Sequence, residues 1–420
     1  MDRAILEATR LTRAGRLTEA SALIQRTLRR HAAPPRRPVD ESGARESIKP
    51  IGQIEVQRLD GVEPPASATP ADEGPVTIKA RIRRAPASGP IVSSPLMSLD
   101  ELPLPGLEGL LGRESTRPAP ADVAGPGQWI SGTHTGAAGT RNYKLYIPSG
   151  CDGQAMPLVV MLHGCTQTPD DFAAGTGMNQ VAEAEGFLVA YPAQAAASNR
   201  SKCWNWFQAS HQRREGGEPS LIAGITRQVM AHYNVDPGRV YIAGLSAGGA
   251  MAAILGATYP DLYAAVGVHS GLAPGSAHDL PSALQAMQQG GRARQMRVDR
   301  AVPLILFHGD RDSTVQPCNA DHLVEQWTAA VGPSTPGATA APATVHQGQV
   351  PGGRAYTREI YTDHRGQPIV EWWAIHGAGH AWSGGSRSGT YTDPAGPDAS
   401  RELARFFLQV PRATAPQETG

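Results

Sequence analysis

The sequence has no excess of either charge, no long apolar run and little cysteine. Lys and Arg number 38, Asp and Glu number 38, and the formal net charge over 420 residues is zero. Such a balance offers no basic footprint for a nucleic-acid backbone and no field that would hold the chain on an anionic membrane. No apolar stretch approaches the roughly 18 residues that a bilayer-spanning helix needs, so no transmembrane segment is expected. The opening Met1-Asp2-Arg3-Ala4-Ile5-Leu6-Glu7 is acidic early and lacks an apolar h-region, so a secretory signal peptide is not expected there. The four cysteines, Cys151, Cys165, Cys203 and Cys318, allow three fully paired connectivities, and their number does not choose among them.

What is present divides the chain by composition. Residues 1–31 show an amphipathic helical pattern, with Ile5, Leu6, Ala8 and Leu11 on one stripe, Ala20, Leu23, Ile24 and Leu28 on a second, and Gly15 as the break. The stretch from Ala14 to Ala20 resembles half of a helical-hairpin repeat, which cannot bury its own face and needs a partner surface. Two readings stand: a helix folded back on the main domain, or a module tethering the chain to a granule or partner. Residues 32–125 are rich in Pro, Ala, Arg, Ser and Glu, a composition that cannot offset ordering entropy, and are expected to be a mostly disordered linker. Residues 126–412 are long enough to bury a large core and form the expected main domain, with 413–420 as a tail.

The most informative motif is Gly244-Leu245-Ser246-Ala247-Gly248. An apolar run, Arg239-Val240-Tyr241-Ile242-Ala243, precedes it, and small residues from Gly249 to Ala253 follow. Strand, tight turn and helix are the context in which a serine stands proud of a sheet as a nucleophile, with glycines keeping the turn free of clashes. Taken alone, the same residues are a glycine-rich turn that happens to carry a serine.

A carboxylate and a histidine are expected downstream, in that order. The buried strand Val302–Gly309 runs into Asp310-Arg311-Asp312-Ser313-Thr314-Val315. Asp312 is the expected acid, and Asp310 is the alternative, with a turn or helix-cap role otherwise. After a last strand at Ile369–Ile375, the loop His376-Gly377-Ala378-Gly379-His380-Ala381-Trp382 offers His380 as the base, while His376 fits a structural hydrogen bond. An earlier strand, Pro157–Leu162, leads into His163-Gly164-Cys165-Thr166-Gln167. The backbone N–H groups of Cys165 and Ala247 are the expected oxyanion donors, and His163 is expected to brace the loop.

With Cys203-Trp204-Asn205-Trp206-Phe207 and Gly379-His380-Ala381-Trp382-Ser383-Gly384-Gly385 added to these motifs, the chain resembles the polyhydroxybutyrate depolymerase family of esterases. That family is similar to feruloyl and acetylxylan esterases. The resemblance runs over about residues 126 to 410. It implies an α/β-hydrolase fold with no metal or organic cofactor. The activity it implies is hydrolysis of short-chain polyhydroxyalkanoates, with feruloyl or acetylxylan esters as the alternative. It places nucleophile, acid and base on Ser246, Asp312 and His380, and the oxyanion donors on Cys165 and Ala247. It also points to a disulfide between Cys165 and Cys203. The family is largely extracellular, which conflicts with the expectation of no signal peptide and leaves the cytoplasm as the alternative compartment.

Other strands are expected at Tyr143–Pro148, Phe187–Tyr191 and Ala264–Val268, and helices at about Glu218–Tyr233 and Ala320–Ala330. Alternation of strands and helices predicts a mostly parallel sheet covered on both faces. Trp204, Trp206, Phe207 and Trp382 are candidate substrate contacts, with core packing as the competing role. No long apolar insertion suggests a lid, so an open site is expected.

Overall fold

A computed structural model describes residues 125–150, 153–291, 302–330, 344–363 and 366–410. The helical pattern of residues 1–31, the expected linker up to residue 124, Cys151 and the tail lie outside the described residues.

The elements follow one another as a wound α/β chain. An N-terminal hairpin, β1 (Gln128–Gly136) and β2 (Gly139–Ile147), leads to β3 (Met156–Leu162). Helices α1 (Pro169–Thr176) and α2 (Met178–Glu185) then precede β4 (Leu188–Pro192). Next come α3 (Gly217–His232), β5 (Val235–Leu245), α4 (Ala247–Thr258) and β6 (Ala265–His269). After α5 (Leu280–Gln289) follow β7 (Leu304–Gly309) and α6 (Cys318–Ala330). Strands β8 (Thr344–Gln349), β9 (Ala355–Thr362) and β10 (Pro368–Ile375) finish the large sheet. A small bridge of β11 (Trp382–Ser383) and β12 (Thr392–Asp393) and the helix α7 (Ala399–Gln409) close the described chain.

The large sheet has ten strands in the order β1-β2-β4-β3-β5-β6-β7-β10-β9-β8. Its centre, β4 through β10 in that order, is parallel, and an antiparallel hairpin flanks each side. The fold is the mostly parallel, two-faced sheet that strand–helix alternation predicts. Side-chain alternation builds two cores from the same strands. Along β3, Leu158, Val160 and Leu162 pack on one face with Ile222, Ile225 and Met251. Val159 and Met161 pack on the other with Phe172, Val181 and Phe407. Each such fully buried aliphatic or aromatic side chain contributes roughly 1.5–3 kcal/mol relative to exposure. That burial on two faces holds the central strand ends rigid, and the functional loops leave from those ends.

Candidate active site

Loops at the carboxyl ends of β3, β5 and β10 meet at one small pocket, where open α/β sheets present their reactive groups. Gly164 and Cys165 come from the first loop, Leu245 and Ser246 from the second, and His380 from the third. Asp312, on the loop after β7, reaches His380 from the interior and is 1% exposed.

Ser246 joins β5 to α4 at φ 58° and ψ −119°, a conformation that costs a non-glycine residue about 1–3 kcal/mol. Its neighbours explain why the turn holds. A Cβ on Gly244 would lie 2.4 Å from the Gly248 carbonyl, and one on Gly248 would lie 2.1 Å from the Leu162 oxygen. Only glycine at both positions lets the helix start so close to β3. The Ser246 N–H donates to the His269 oxygen at 2.9 Å, which ties the turn to the end of β6.

His380 Nδ1 donates to Asp312 Oδ2 at 2.7 Å, which leaves Nε2 as the ring's acceptor. The other carboxylate oxygen accepts the N–H groups of Thr314 and Val315, both at 2.9 Å. Burial alone would raise the Asp312 pKa, but the hydrogen bond and charge of His380 and the nearby His308 outweigh it, and the group sits below the ordinary carboxylate range. His308, a residue the motifs did not single out, donates from Nε2 to the Val315 oxygen at 2.8 Å and lies 3.5 Å from Asp312 Oδ2. It therefore braces the turn that supplies the N–H groups.

Asp310, the alternative acid, has a different partner. Its Oδ2 lies 3.0 Å from His376 Nδ1, and its Oδ1 accepts the Gly377 N–H at 2.7 Å. His376 Nε2 in turn lies 2.9 Å from Thr357 Oγ1. Asp310 and His376 thus form a separate, more exposed pair, while His380 is bonded to Asp312.

The loop after β3 is held almost atom by atom. The Gly164 N–H donates to Gln167 Oε1 at 2.9 Å and the Thr166 N–H to the Ser201 oxygen at 2.6 Å. Among the described residues, the Cys165 N–H is then the uncommitted donor between them. The Ala247 N–H, at the first position of α4, has no carbonyl to meet within its helix. Cys165 and Cys203 are joined in a disulfide, and Cys318 is a free thiol. His163 occupies the bracing position: Nδ1 donates to the Gly164 oxygen at 2.8 Å and Nε2 accepts the Gln194 N–H at 3.1 Å. Burial drives its pKa down to about 4, so the ring stays neutral.

Glu218, at the start of α3, supports this loop from behind. It accepts the Asn205 N–H at 2.7 Å and Asn205 Nδ2 at 2.8 Å, bonds Gln194, and lies 3.5 Å from the Arg141 guanidinium. Although burial opposes the charge, the hydrogen bonds and the His211 ring keep its carboxyl below the ordinary range.

The aromatic side chains expected to touch substrate sit elsewhere. Trp204 is 0%, Trp206 5%, Phe207 7% and Trp382 1% exposed, and none of them lines the pocket. Trp204 Nε1 donates to the His163 oxygen at 3.1 Å, so the indole braces the oxyanion loop. Trp382 stacks on His269, meets Phe172 edge-on and donates to Ser400 Oγ at 3.1 Å. Large apolar rings beside a motif fill the core that supports it, because their buried area is worth more there than at the rim.

The pocket is also lined by Gln167 and Leu245, which stand inside the motifs without an assigned role, and by Tyr391, which no motif covers. Tyr391 belongs to a segment, residues 384–398, that runs from the His380 loop to α7. Its attachment to α1 and the loop before it is dense. Asp171 accepts the Thr390 N–H at 3.0 Å, Gln167 Nε2 donates to the Thr390 oxygen at 3.2 Å, and the Ser386 N–H donates to the Gly175 oxygen at 2.8 Å. The expected open site is therefore walled on one side by a polar strap that no apolar insertion announces.

Comparison with known proteins agrees with this architecture. Residues 141–347 match the family described as esterase PHB depolymerase. The poly(3-hydroxyalkanoate) depolymerase C of Paucimonas lemoignei is 33% identical over 279 residues, 63% of this chain and 62% of that protein. An acetylxylan esterase of Coprinopsis cinerea is 32% identical over 240 residues, 53% of this chain and 61% of that protein. The chain thus spans about three-fifths of the length of these relatives. Among solved structures, an acetyl xylan esterase from Aspergillus awamori shares the fold at a TM-score of 0.51 and 22% identity, over 61% of this chain and 94% of that one.

Proposed function

Because residues 141–347 match the family described as esterase PHB depolymerase, we propose that the chain is a serine ester hydrolase acting on short-chain polyhydroxyalkanoates. The observation that carries this reading is the Asp312–His380 hydrogen bond beside a serine held on a left-handed turn in the same pocket. His380 Nε2 takes the proton of Ser246 Oγ as the oxygen attacks the ester carbonyl carbon. The carbonyl π electrons move to oxygen, and the N–H groups of Cys165 and Ala247, the latter at the positive end of α4, stabilise that charge. Collapse breaks the ester C–O bond, and His380 returns the proton to the departing alkoxide. Water, deprotonated by the same ring, then releases the acid and restores Ser246. Throughout, the Asp312 carboxylate holds the Nδ1–H tautomer and stabilises the imidazolium.

A second reading, hydrolysis of acetyl or feruloyl esters of plant-wall polymers, is favoured by the acetylxylan esterases among the relatives. Incubation with amorphous polyhydroxybutyrate, acetylated xylan and p-nitrophenyl butyrate, beside Ser246→Ala, separates the two. Soluble 3-hydroxybutyrate released by the parent chain alone supports the polyester reading. Acetate release with an untouched polyester moves the substrate to xylan, and cleavage of none of the three overturns the esterase reading.

A further inference from the structure

We infer that Tyr391 limits the length of acyl group this site accepts, a deepening that rests on the esterase reading above. Tyr391 is half-buried, sits on the strap that follows the His380 loop, and lines the pocket shared by Ser246, Leu245 and His380. Its phenol lies 3.2 Å from Thr166 Oγ1. The one hydroxyl proton of Thr166 is directed to the Cys165 oxygen at 2.6 Å, so the phenol is the donor in that bond. Tyr391 is thereby tied to the loop carrying the proposed oxyanion donor.

Both residues have left-handed backbones, at φ 52° for Tyr391 and φ 65° for Thr166. A bulky or β-branched residue keeps such a conformation only where its surroundings over-determine it, and such sites cluster at ligand clamps. The surroundings here do so. The Trp382 N–H donates to the Tyr391 oxygen at 2.7 Å, Thr390 is bonded to Asp171 on one side, and Thr392 pairs with Trp382 on the other. Close approach adds to this, since a Cβ on Gly389 would lie 2.4 Å from the Asp171 oxygen and from Gly175 Cα. A backbone held on both sides, with the phenol bonded to Thr166, makes this ring a wall and not a lid. Short acyl groups such as acetyl and 3-hydroxybutyryl fit beside it, and longer alkyl chains meet it.

Relative kcat/KM on p-nitrophenyl acetate, butyrate, hexanoate and octanoate tests this in the full chain. Tyr391→Gly suits a left-handed backbone and removes the wall, so the octanoate-to-acetate ratio should rise by about tenfold or more, since each misfitting methylene is worth roughly 10- to 200-fold. Tyr391→Phe keeps the ring and should hold the ratio within about twofold of the parent, given that only the hydroxyl is lost. If Tyr391→Gly melts early, Tyr391→Asn, another residue tolerant of this backbone, provides the same readout. An unchanged ratio in a folded variant that still cleaves acetate overturns the wall alone. Absence of cleavage by the parent chain overturns the esterase reading and the wall with it.

Discussion

Two aspartate–histidine pairs bridge the loop after β7 and the loop after β10, and they differ almost only in burial. In one, the side chains of Asp312 and His380 are 0% and 10% exposed and 2.7 Å apart. In the other, Asp310 and His376 are 44% and 45% exposed and 3.0 Å apart. The residue types and the parent loops are the same. The buried carboxylate has two backbone N–H groups and a histidine behind it, and the exposed one has only the Gly377 N–H beside its histidine. In low dielectric the same hydrogen bond orients a ring and stabilises its cation far more strongly than at the surface. A pair becomes useful for proton transfer through its setting, not its composition.

The comparison breaks most visibly at the histidines. His380→Ala should lower kcat by about 10^4- to 10^6-fold, whereas His376→Ala should stay within a few-fold of the parent chain. Steady-state hydrolysis of p-nitrophenyl butyrate measures both, and equal losses would erase the distinction. The carboxylates sharpen it further. Asp312→Asn should cost about 10^3- to 10^4-fold, because the amide favours the wrong imidazole tautomer, while Asp310→Asn leaves kcat nearly intact. A collapse in Asp310→Asn with an unchanged melting temperature would exchange their roles.

Stability effects are smaller. Replacing Cys165 and Cys203 together with serine removes a link closing 38 residues and should cost about 2–4 kcal/mol, read as a lower urea midpoint. Acid should destabilise the buried groups before the exposed ones. The His163 and His269 pKa values are lowered by burial from 6.5 to about 4 and about 3. The unfolded chain therefore takes up protons first, so their contribution is complete above about pH 6.5 and is lost as the pH falls towards those lower values. Asp312 acts in a lower window. Its depressed folded pKa stabilises the fold above the ordinary carboxylate value near 3.9, and that contribution is lost as the pH drops through the folded value. Calorimetry from pH 7 to 4 should show a falling melting temperature, and a flat profile would contradict the assignment of neutral buried rings. The smallest effect belongs to the surface pair, where His376→Ala should change stability by about 0–1 kcal/mol in the same urea titration.

Much of this site is legible in the sequence because its parts are local. An apolar strand running into Gly-x-Ser-x-Gly, an aspartate two and four residues past Phe307-His308, and a histidine on a Gly-Ala-Gly loop each declare themselves within ten residues. The central strands are equally plain, since burial on both faces leaves continuous apolar runs. What sequence reasoning missed is held by distance. Gln167 and Thr390 are separated by 223 positions, and the strap carrying Tyr391 is a run of Gly, Ser and Thr with no period. The edge strand β8 is mostly polar and exposed, so no alternation marks it. The tryptophans read ambiguously for a related reason. A ring next to a motif reads the same in sequence whether it faces substrate or braces the loop from within, and only the packing around Trp204 and Trp382 separates the two.

The central claim, that Ser246 is an activated nucleophile driven by the buried pair, is tested most directly by covalent labelling. The full chain is treated with an organophosphonate that reacts with activated serines, then digested and mapped by mass spectrometry. The account predicts one adduct, on the peptide containing Ser246, and its loss in His380→Ala but not in His376→Ala. An adduct on another serine, or full hydrolysis of p-nitrophenyl butyrate by Ser246→Ala, would contradict it.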